Sequence, residues 1–453
     1  MSMPRRPLPL RPRRRFFAVA LAFALAAPSI AARAQDAPPA PAAPELAPAA
    51  APAPTTSLAD AAPADLDALG VQDESRSAGA DEHPLQLYGF ADMTYYLPLF
   101  SSDSYLAANV PSQQSFVMGN FNLYIAKQIS SRLRSLGEVR FSYLPNGQAT
   151  GNGYQSTQAD DPAAFFRPTR WGGIVIERLH IEYDLLSNLT LRAGSFLTPY
   201  GIWNVDHGSP TIISIRAPYI IGEGLFPERQ TGLELIGHHY FSEFALEYHL
   251  TLSNGRGPID ETRDLDSNKA VGGRLLLEWR HDADIKLGAS YYRGTYTNAT
   301  PTTFDVMTGH ASANITERYL EQDVAADLSV DFRHFVFRGE FLRSDHRYDD
   351  AYRGSGPTFT PDNTRWGTYG IFGYHLPAGF LPYAVLQYYR FPDTPGNQYN
   401  PKIKAIAGGA DYRLHPNVVL KAEYTYAKLA DSPLAVIADT PFKALEVQIS
   451  WVF

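Results

Sequence analysis

Cysteine is absent from all 453 residues, which excludes disulfides, thiolate-bound metals and cysteine nucleophiles together. Lysine is scarce, eight in all, and the formal net charge is −8, so the basic footprint of a nucleic-acid binder is missing. Beyond residue 30 no apolar run approaches the ~18 residues that a membrane-spanning helix needs. Methionine and tryptophan are also rare, five of each, against 27 tyrosines and 25 phenylalanines. That imbalance suits long strands with one wet face better than a helical core.

What is present begins with an address. Residues 1–15 hold six arginines and no acid, residues 16–27 are an apolar stretch of twelve, and Ala32-Arg33-Ala34 offers a small-x-small cleavage pattern before Gln35. This predicts a secretory signal peptide over 1–34. Its removal takes seven arginines and no acid, so the charge falls from −8 to −15. Residues 35–83 are rich in Pro and Ala, carry nine acids and one arginine, and lack aromatics. Such a segment cannot bury enough apolar surface to offset its ordering entropy, which predicts a disordered periplasmic linker.

From Leu85 the sequence adopts a period of two. The spacing predicts strands near 85–97, 114–129, 132–144, 172–186, 189–198, 229–240, 243–253, 268–280, 283–295, 317–332, 335–346, 364–376, 380–391, 402–414, 418–429 and 441–453. Links of two or three residues at Ser130-Ser131, Ser187-Asn188, Phe241-Ser242, His281-Asp282, Arg333-His334, 377–379 and 415–417 alternate with links many times longer. A soluble sandwich has no reason to lengthen every second connection, whereas a membrane barrel has short periplasmic turns and long outer loops. Lipid tolerates no open sheet edge, so the sheet must close, and about sixteen strands leave a water-filled interior. The expected fold is an all-β transmembrane antiparallel barrel over 84–453, preceded by the disordered segment.

Two stretches resemble known proteins. The last strand alternates Leu445, Val447, Ile449, Trp451 and Phe453 with Glu446, Gln448, Ser450 and Val452. It resembles the C-terminal signal of bacterial outer-membrane barrels, which implies that Trp451 and Phe453 are read by the barrel-assembly machinery. LQLYGFADMTYY resembles the first strand of porins. Gly194, Phe196, Thr198, Pro199, Tyr200 and Gly201, followed by Arg229, Thr231 and Gly232, resemble a motif of the phosphate-selective porin family. The resemblance implies a porin in the outer-membrane lipid, with a homotrimer among its candidate assemblies. Phosphate selectivity is not implied, because a phosphate track needs convergent Lys or Arg and the link that follows offers only Arg216 and Arg229 and no Lys.

Apolar residues assign the faces. Leu133, Val139 and Phe141 point outward, leaving Arg134, Glu138 and Arg140 inward; Leu179, Ile181, Tyr183 and Leu185 leave Arg178, His180, Glu182 and Asp184 inward. The same rule turns Arg192, Arg274, Glu278, Arg280, Asp323, Asp327, Arg338, Glu340, Lys421 and Glu423 toward the pore. Strands 364–376 and 380–391 carry apolar residues in both registers and resist assignment. The early arginines form a basic sector opposite an acidic strand at Glu321, Asp323, Asp327 and Asp331, which predicts a transverse field.

The link 199–228 is thirty residues long and unusually apolar. Ile212, Ile213, Ile215, Tyr219, Ile220, Ile221, Leu225 and Phe226 need a surface to pack on, whether the barrel interior, the rim or a neighbouring subunit. By resemblance to sixteen-stranded porins, this third outer loop narrows the pore. Its candidate constriction charges are Asp206, His207, Arg216, Glu223, Glu228 and Arg229.

The expected function is passive diffusion of small hydrophilic solutes and ions, with no cofactor, no metal and no catalysis. Alternatives are a channel selective for phosphate, sugar or organic acid and, further off, an outer-membrane enzyme. His310, Ser312 and Asn314 share one link and make no triad. Asp264-x-Asp266-x-Asn268 begins like a calcium loop but lacks its glycine and closing glutamate.

Overall fold

The computed structural model describes residues 84–99, 106, 113–143, 171–222, 224–257, 266–299, 303–305, 310–312, 315–354, 359–392, 401–431 and 441–453. The segments expected to be a signal peptide (1–34) and a linker (35–83), and Glu223, lie outside the described residues.

Among the described residues eighteen strands follow one another: β1 (Gln86–Pro98), β2 (Ser115–Ser130), β3 (Leu133–Tyr143), β4 (Trp171–Leu186), β5 (Leu189–Leu197), β6 (Arg229–Phe241), β7 (Phe244–Ser253), β8 (Ala270–Arg280), β9 (Asp284–Ala299), β10 (Thr303–Asp305), β11 (His310–Ser312), β12 (Ile315–Phe332), β13 (Phe335–Tyr348), β14 (Asn363–Tyr374), β15 (Phe380–Arg390), β16 (Lys402–His415), β17 (Val418–Ala430) and β18 (Phe442–Val452). Sixteen of them close into one antiparallel barrel in which each pairs its sequence neighbour, β9 pairs β12, and β18 returns to β1. The short β10–β11 hairpin, within a link that the sequence left unstructured, stands outside that ring.

Closure is complete in the backbone. Phe90 to Pro98 face Val452 to Ala444 across the seam. Gly89 and Phe453 exchange N–H and carbonyl bonds of 2.9 Å each. Gly89 is required there: a Cβ would stand 2.2 Å from the Asn122 carbonyl and 2.8 Å from the Phe453 ring. That ring lies 5.6 Å from Phe121, while Trp451 sits opposite Ala91. At the tight turns, Ser242 and Arg333 each take a φ of 55°, the left-handed conformation that matches hairpin twist.

Alternation sorts the faces as the physics of lipid requires. Leu179, Leu275, Phe335 and Tyr424 are exposed on the outside, and Glu138, Glu182, Glu234 and Glu340 are buried on the inside. The two strands that resisted assignment are settled. Phe372 and Leu386 point out, each 51% exposed, while Tyr369, Ile371, Tyr383, Val385 and Tyr389 are buried inward. Both registers are apolar because this wall has an apolar partner inside the barrel. Loop residues Tyr200, Trp203, Ile220, Ile221, Leu225 and Phe226 share one cluster with those five residues and with Ile403, Ala407 and Leu429.

Gly89→Val is expected to strain the seam by about 1–3 kcal/mol, the usual cost of overpacking. The check is the temperature at which the folded band collapses to the unfolded one on a detergent gel. An unchanged transition would mean that the seam tolerates a side chain at this position.

Candidate functional site

The segment between β5 and β6, residues 198–228, runs inside the barrel and is tied to the far wall. Arg274 on β8 donates to the carbonyls of Pro199, at 3.3 Å, and of Gly201, and also pairs with Asp327 at 2.7 Å. Gly201 has a φ of 71°, and a Cβ there would meet the Glu340 carboxylate at 2.0 Å. Glu340 instead accepts from the Trp203 backbone N–H at 2.7 Å and from the Tyr369 hydroxyl. The Tyr200 hydroxyl rests 3.2 Å from Thr251 Oγ1, and burial pushes its pKa up to about 12, so it stays protonated.

Further along, Lys421 donates to the Ile212 carbonyl, Glu423 accepts from Ile215 N–H at 3.0 Å, and Gln387 accepts from Tyr219 N–H at 2.9 Å. Arg216 closes a 2.5 Å ion pair with Glu446, its guanidinium 4.7 Å from the Phe442 ring centre. A single helical turn, α1 (Tyr219–Gly222), buries Ile220 and Ile221 against the wall. On the other side Arg256 holds the Gly224 carbonyl at 2.9 Å and Glu321 at 2.7 Å.

These contacts redistribute the residues that the sequence turned toward open water. Arg274, Asp327, Glu340, Lys421 and Glu423 lie beneath the loop and hold it, which backbone N–H and carbonyl groups in a buried loop demand. Arg134, Arg178 and Arg192 stand on the uncovered wall, each matched by a carboxylate on a neighbouring strand. Glu182 bridges Arg134 at 2.6 Å and Arg192 at 2.7 Å, Arg192 also reaches Glu234 at 2.6 Å, and Arg178 meets Glu138 at 2.6 Å. Toward the short-turn rim, Glu278 pairs with Arg280 at 2.6 Å and Arg338 with Asp331 at 2.7 Å. The expected basic and acidic sectors are therefore largely neutralised where they stand, and the field they predicted is correspondingly weaker.

A cavity of about 490 Å³ remains between the loop and the β2–β4 wall. The loop contributes an apolar side with Trp203, Ile212, Ile215 and Phe226; Asn120, Arg140, Glu177, His207 and Glu228 supply polar groups. Glu177 carries the local electrostatics: it forms an ion pair with Arg140 at 2.7 Å and accepts from Arg229 at 2.9 Å, and Arg229 reaches Glu228 at 3.2 Å. Arg229 is only 4% exposed, so the constriction charge expected at this position is a buried partner of Glu177. Asp206 accepts from the Thr211 hydroxyl at 2.7 Å, and His207 Nδ1 lies 3.1 Å from the Asn204 carbonyl; both stabilise the loop's own turn.

Sequence reasoning missed Glu177 because the alternation of β4 breaks there. Glu138 pairs with Arg178 and Val139 with Ile176, so Glu177 is the extra residue of a β-bulge. Bulges re-aim side chains, and this one brings Glu177 and Arg178 to the same inner face. The signal was legible: Ile174 and Ile176 are outward at even positions, Leu179 and Ile181 at odd ones. Among the described residues, no group of three or more His, Asp and Glu is placed to hold a metal ion.

No protein-family model and no curated protein matches the chain. Solved structures do. The trimer form of in-vitro folded OmpT, an outer membrane protein of Vibrio cholerae, matches with a TM-score of 0.50 at 9% identity, over 82% of this chain and 100% of that one. The loop L8 deletion mutant of OmpT gives the same values. The fold is that of an outer-membrane β-barrel. An anion-selective porin from Comamonas acidovorans follows, with a TM-score of 0.47, 11% identity, and coverage of 82% and 99%.

Glu177→Gln is expected to leave the Arg140 and Arg229 guanidiniums without their shared counter-charge and move the reversal potential in a salt gradient toward anions. Arg140→Gln is expected to move it toward cations. Identical reversal potentials in the wild type and both variants would take the conducting path away from this pair.

Proposed function

We propose that the protein is an outer-membrane porin through which small hydrophilic solutes and ions diffuse passively, with no chemical step. The observation that carries this reading is a closed sixteen-stranded barrel whose long inner loop is fastened to one wall and leaves a polar, charged cavity beside the other. A wide hydrated lumen with fixed charges at its narrowest part discriminates by size and field. Of the charges expected in the loop, His207 and Glu228 line this cavity and are the ones proposed for that narrow part, together with Glu177 and Arg140 from the wall.

The setting follows from the same reading. Outer-membrane lipid covers the apolar outer face, export uses the signal peptide over 1–34, and Trp451 and Phe453 in the seam strand are the element offered to the barrel-assembly machinery. A homotrimer is the assembly carried over from the trimer form of OmpT. One observation favours a second reading, a channel selective for a solute with both an apolar part and a charged group: the cavity sets Trp203, Ile212 and Phe226 against Arg140 and Glu177.

Planar-bilayer recording tests both. A passive porin gives current that rises linearly with solute concentration, whereas saturation by one solute marks the selective channel. Gly201→Val, which forces a side chain against Glu340, is expected to displace the loop and raise single-channel conductance. No conductance from the wild type would end the porin reading, and unaltered conductance in Gly201→Val would remove the loop from the path.

A further inference from the structure

The charges of the cavity beside the inner loop are arranged, not scattered. Four run in one alternating chain: Arg140 to Glu177 at 2.7 Å, Glu177 to Arg229 at 2.9 Å and Arg229 to Glu228 at 3.2 Å. The middle pair is sunk in the wall, the side chains of Glu177 and Arg229 being 2% and 5% exposed. The ends are more open, Arg140 at 18% and Glu228 at 49%, and both line the cavity. The middle charges cancel, so the chain presents the cavity with a cation at one end and an anion at the other. Glu177 Oε1 adds to the anionic side: it is buried and, among the described residues, receives no hydrogen bond, although Arg140 stands close by. An acceptor left in that state is costly. The other charged liner, Arg256, is engaged by Glu321 at 2.7 Å and the Gly224 carbonyl at 2.9 Å, and His207 lies against the Asn204 carbonyl at 3.1 Å. The loop supplies the apolar side with Ile212 and Ile215, both only partly buried, beside Trp203 and Phe226.

We propose that this cavity binds a zwitterion with an apolar body, an amino acid whose side chain is aromatic or branched. The inference deepens the selective-channel reading and rests on it. The solute carboxylate pairs with the Arg140 guanidinium, its ammonium with Glu228 and Glu177 Oε1, and its side chain lies on Ile212 and Ile215. Hydrogen bonds between ionised partners are the strong ones. A solute with one charge answers only one end of the chain, and an inorganic ion gains nothing from the apolar side. Two arginines and two glutamates line the cavity, a balance that favours a solute of no net charge. Its volume, about 490 Å³, falls within the range of small-molecule sites, about 300–1,000 Å³.

The test is block of potassium chloride current through the full-length protein in planar bilayers by four solutes. L-Phenylalanine has both charges and the ring; N-acetyl-L-phenylalanine lacks the cation, L-phenylalaninamide lacks the anion, and glycine lacks the apolar part. Phenylalanine is expected to half-block the wild type at a concentration roughly tenfold below that of each of the other three, the loss that one charge-assisted bond or one buried side chain brings. Glu228→Gln is expected to abolish the preference over N-acetylphenylalanine and keep that over the amide; Arg140→Gln is expected to do the reverse. Each readout is a ratio within one protein, so a change of conductance does not disturb it. If a variant fails to insert, the wild-type series decides alone. Equal block by all four solutes, or ratios unchanged in both variants, overturns the proposal. Stronger block by N-acetylphenylalanine or by the amide would make the site one for an anion or a cation, keeping the selective channel and refuting the zwitterion. A conducting wild type that none of the four blocks refutes this inference alone; a wild type that does not conduct refutes the porin reading beneath it.

Discussion

In hydrocarbon a backbone N–H or carbonyl without a partner costs several kcal/mol, and no water is at hand to supply one. A sheet meets that condition only by returning to its first strand. Once β18 lies against β1, every strand of the ring has two neighbours, and the side chains divide by parity into those that meet lipid and those that meet the lumen. The inward set is charged, and charges held partly away from water need counter-charges nearby. The Glu182 bridge between Arg134 and Arg192 and the Glu138–Arg178 pair meet that need strand to strand. In buried pairs of this kind the cost of desolvation offsets much of the attraction, so they add little net stability. Their effect is geometric: each fixes a long side chain against the wall.

The inner loop answers a different demand. Its aliphatic and aromatic residues cannot stay in water, and the inner faces of β14–β16 offer Tyr369, Ile371, Tyr383, Val385 and Ile403 as partners. The barrel therefore holds a hydrophobic core on one side of its interior and a polar cavity on the other. The fixing bonds run from wall side chains to loop backbone, through Arg274, Glu340, Lys421 and Glu423. Backbone anchoring of this kind depends little on which side chains the loop carries at those points.

Fold class, strand number and the short-long rhythm of links were all legible in the sequence, because a period of two and a strand-breaking turn are local signals. The position of a side chain on the inner wall was legible wherever the outer face was plainly apolar, as in β8 and β17. Three things were not. Apolar residues on both faces of β14 and β15 hid the register, since the partner of their inner face comes from a segment more than a hundred residues earlier. The bulge at Glu177 reversed parity within β4, and a rule applied to the whole strand assigned the residues below it and missed the one above. Which inner charges face the cavity and which lie under the loop depends on where thirty residues of loop settle, and alternation carries no information about that.

The joint between β1 and β18 differs from every other in the ring. The other pairings join strands adjacent along the chain, or separated by one small hairpin, so each closes over a single link. The last joins Phe90 to Val452, the two ends of the whole barrel. A ring of locally formed hairpins with a single distant contact folds as a ribbon that stays open until its final step. Throughout that interval two raw strand edges are on offer, and an edge does not distinguish its own partner from the same strand of another molecule. The hazard peculiar to this architecture is thus a double-length ribbon made by two chains, and fast capture of the ends is what keeps each molecule to itself.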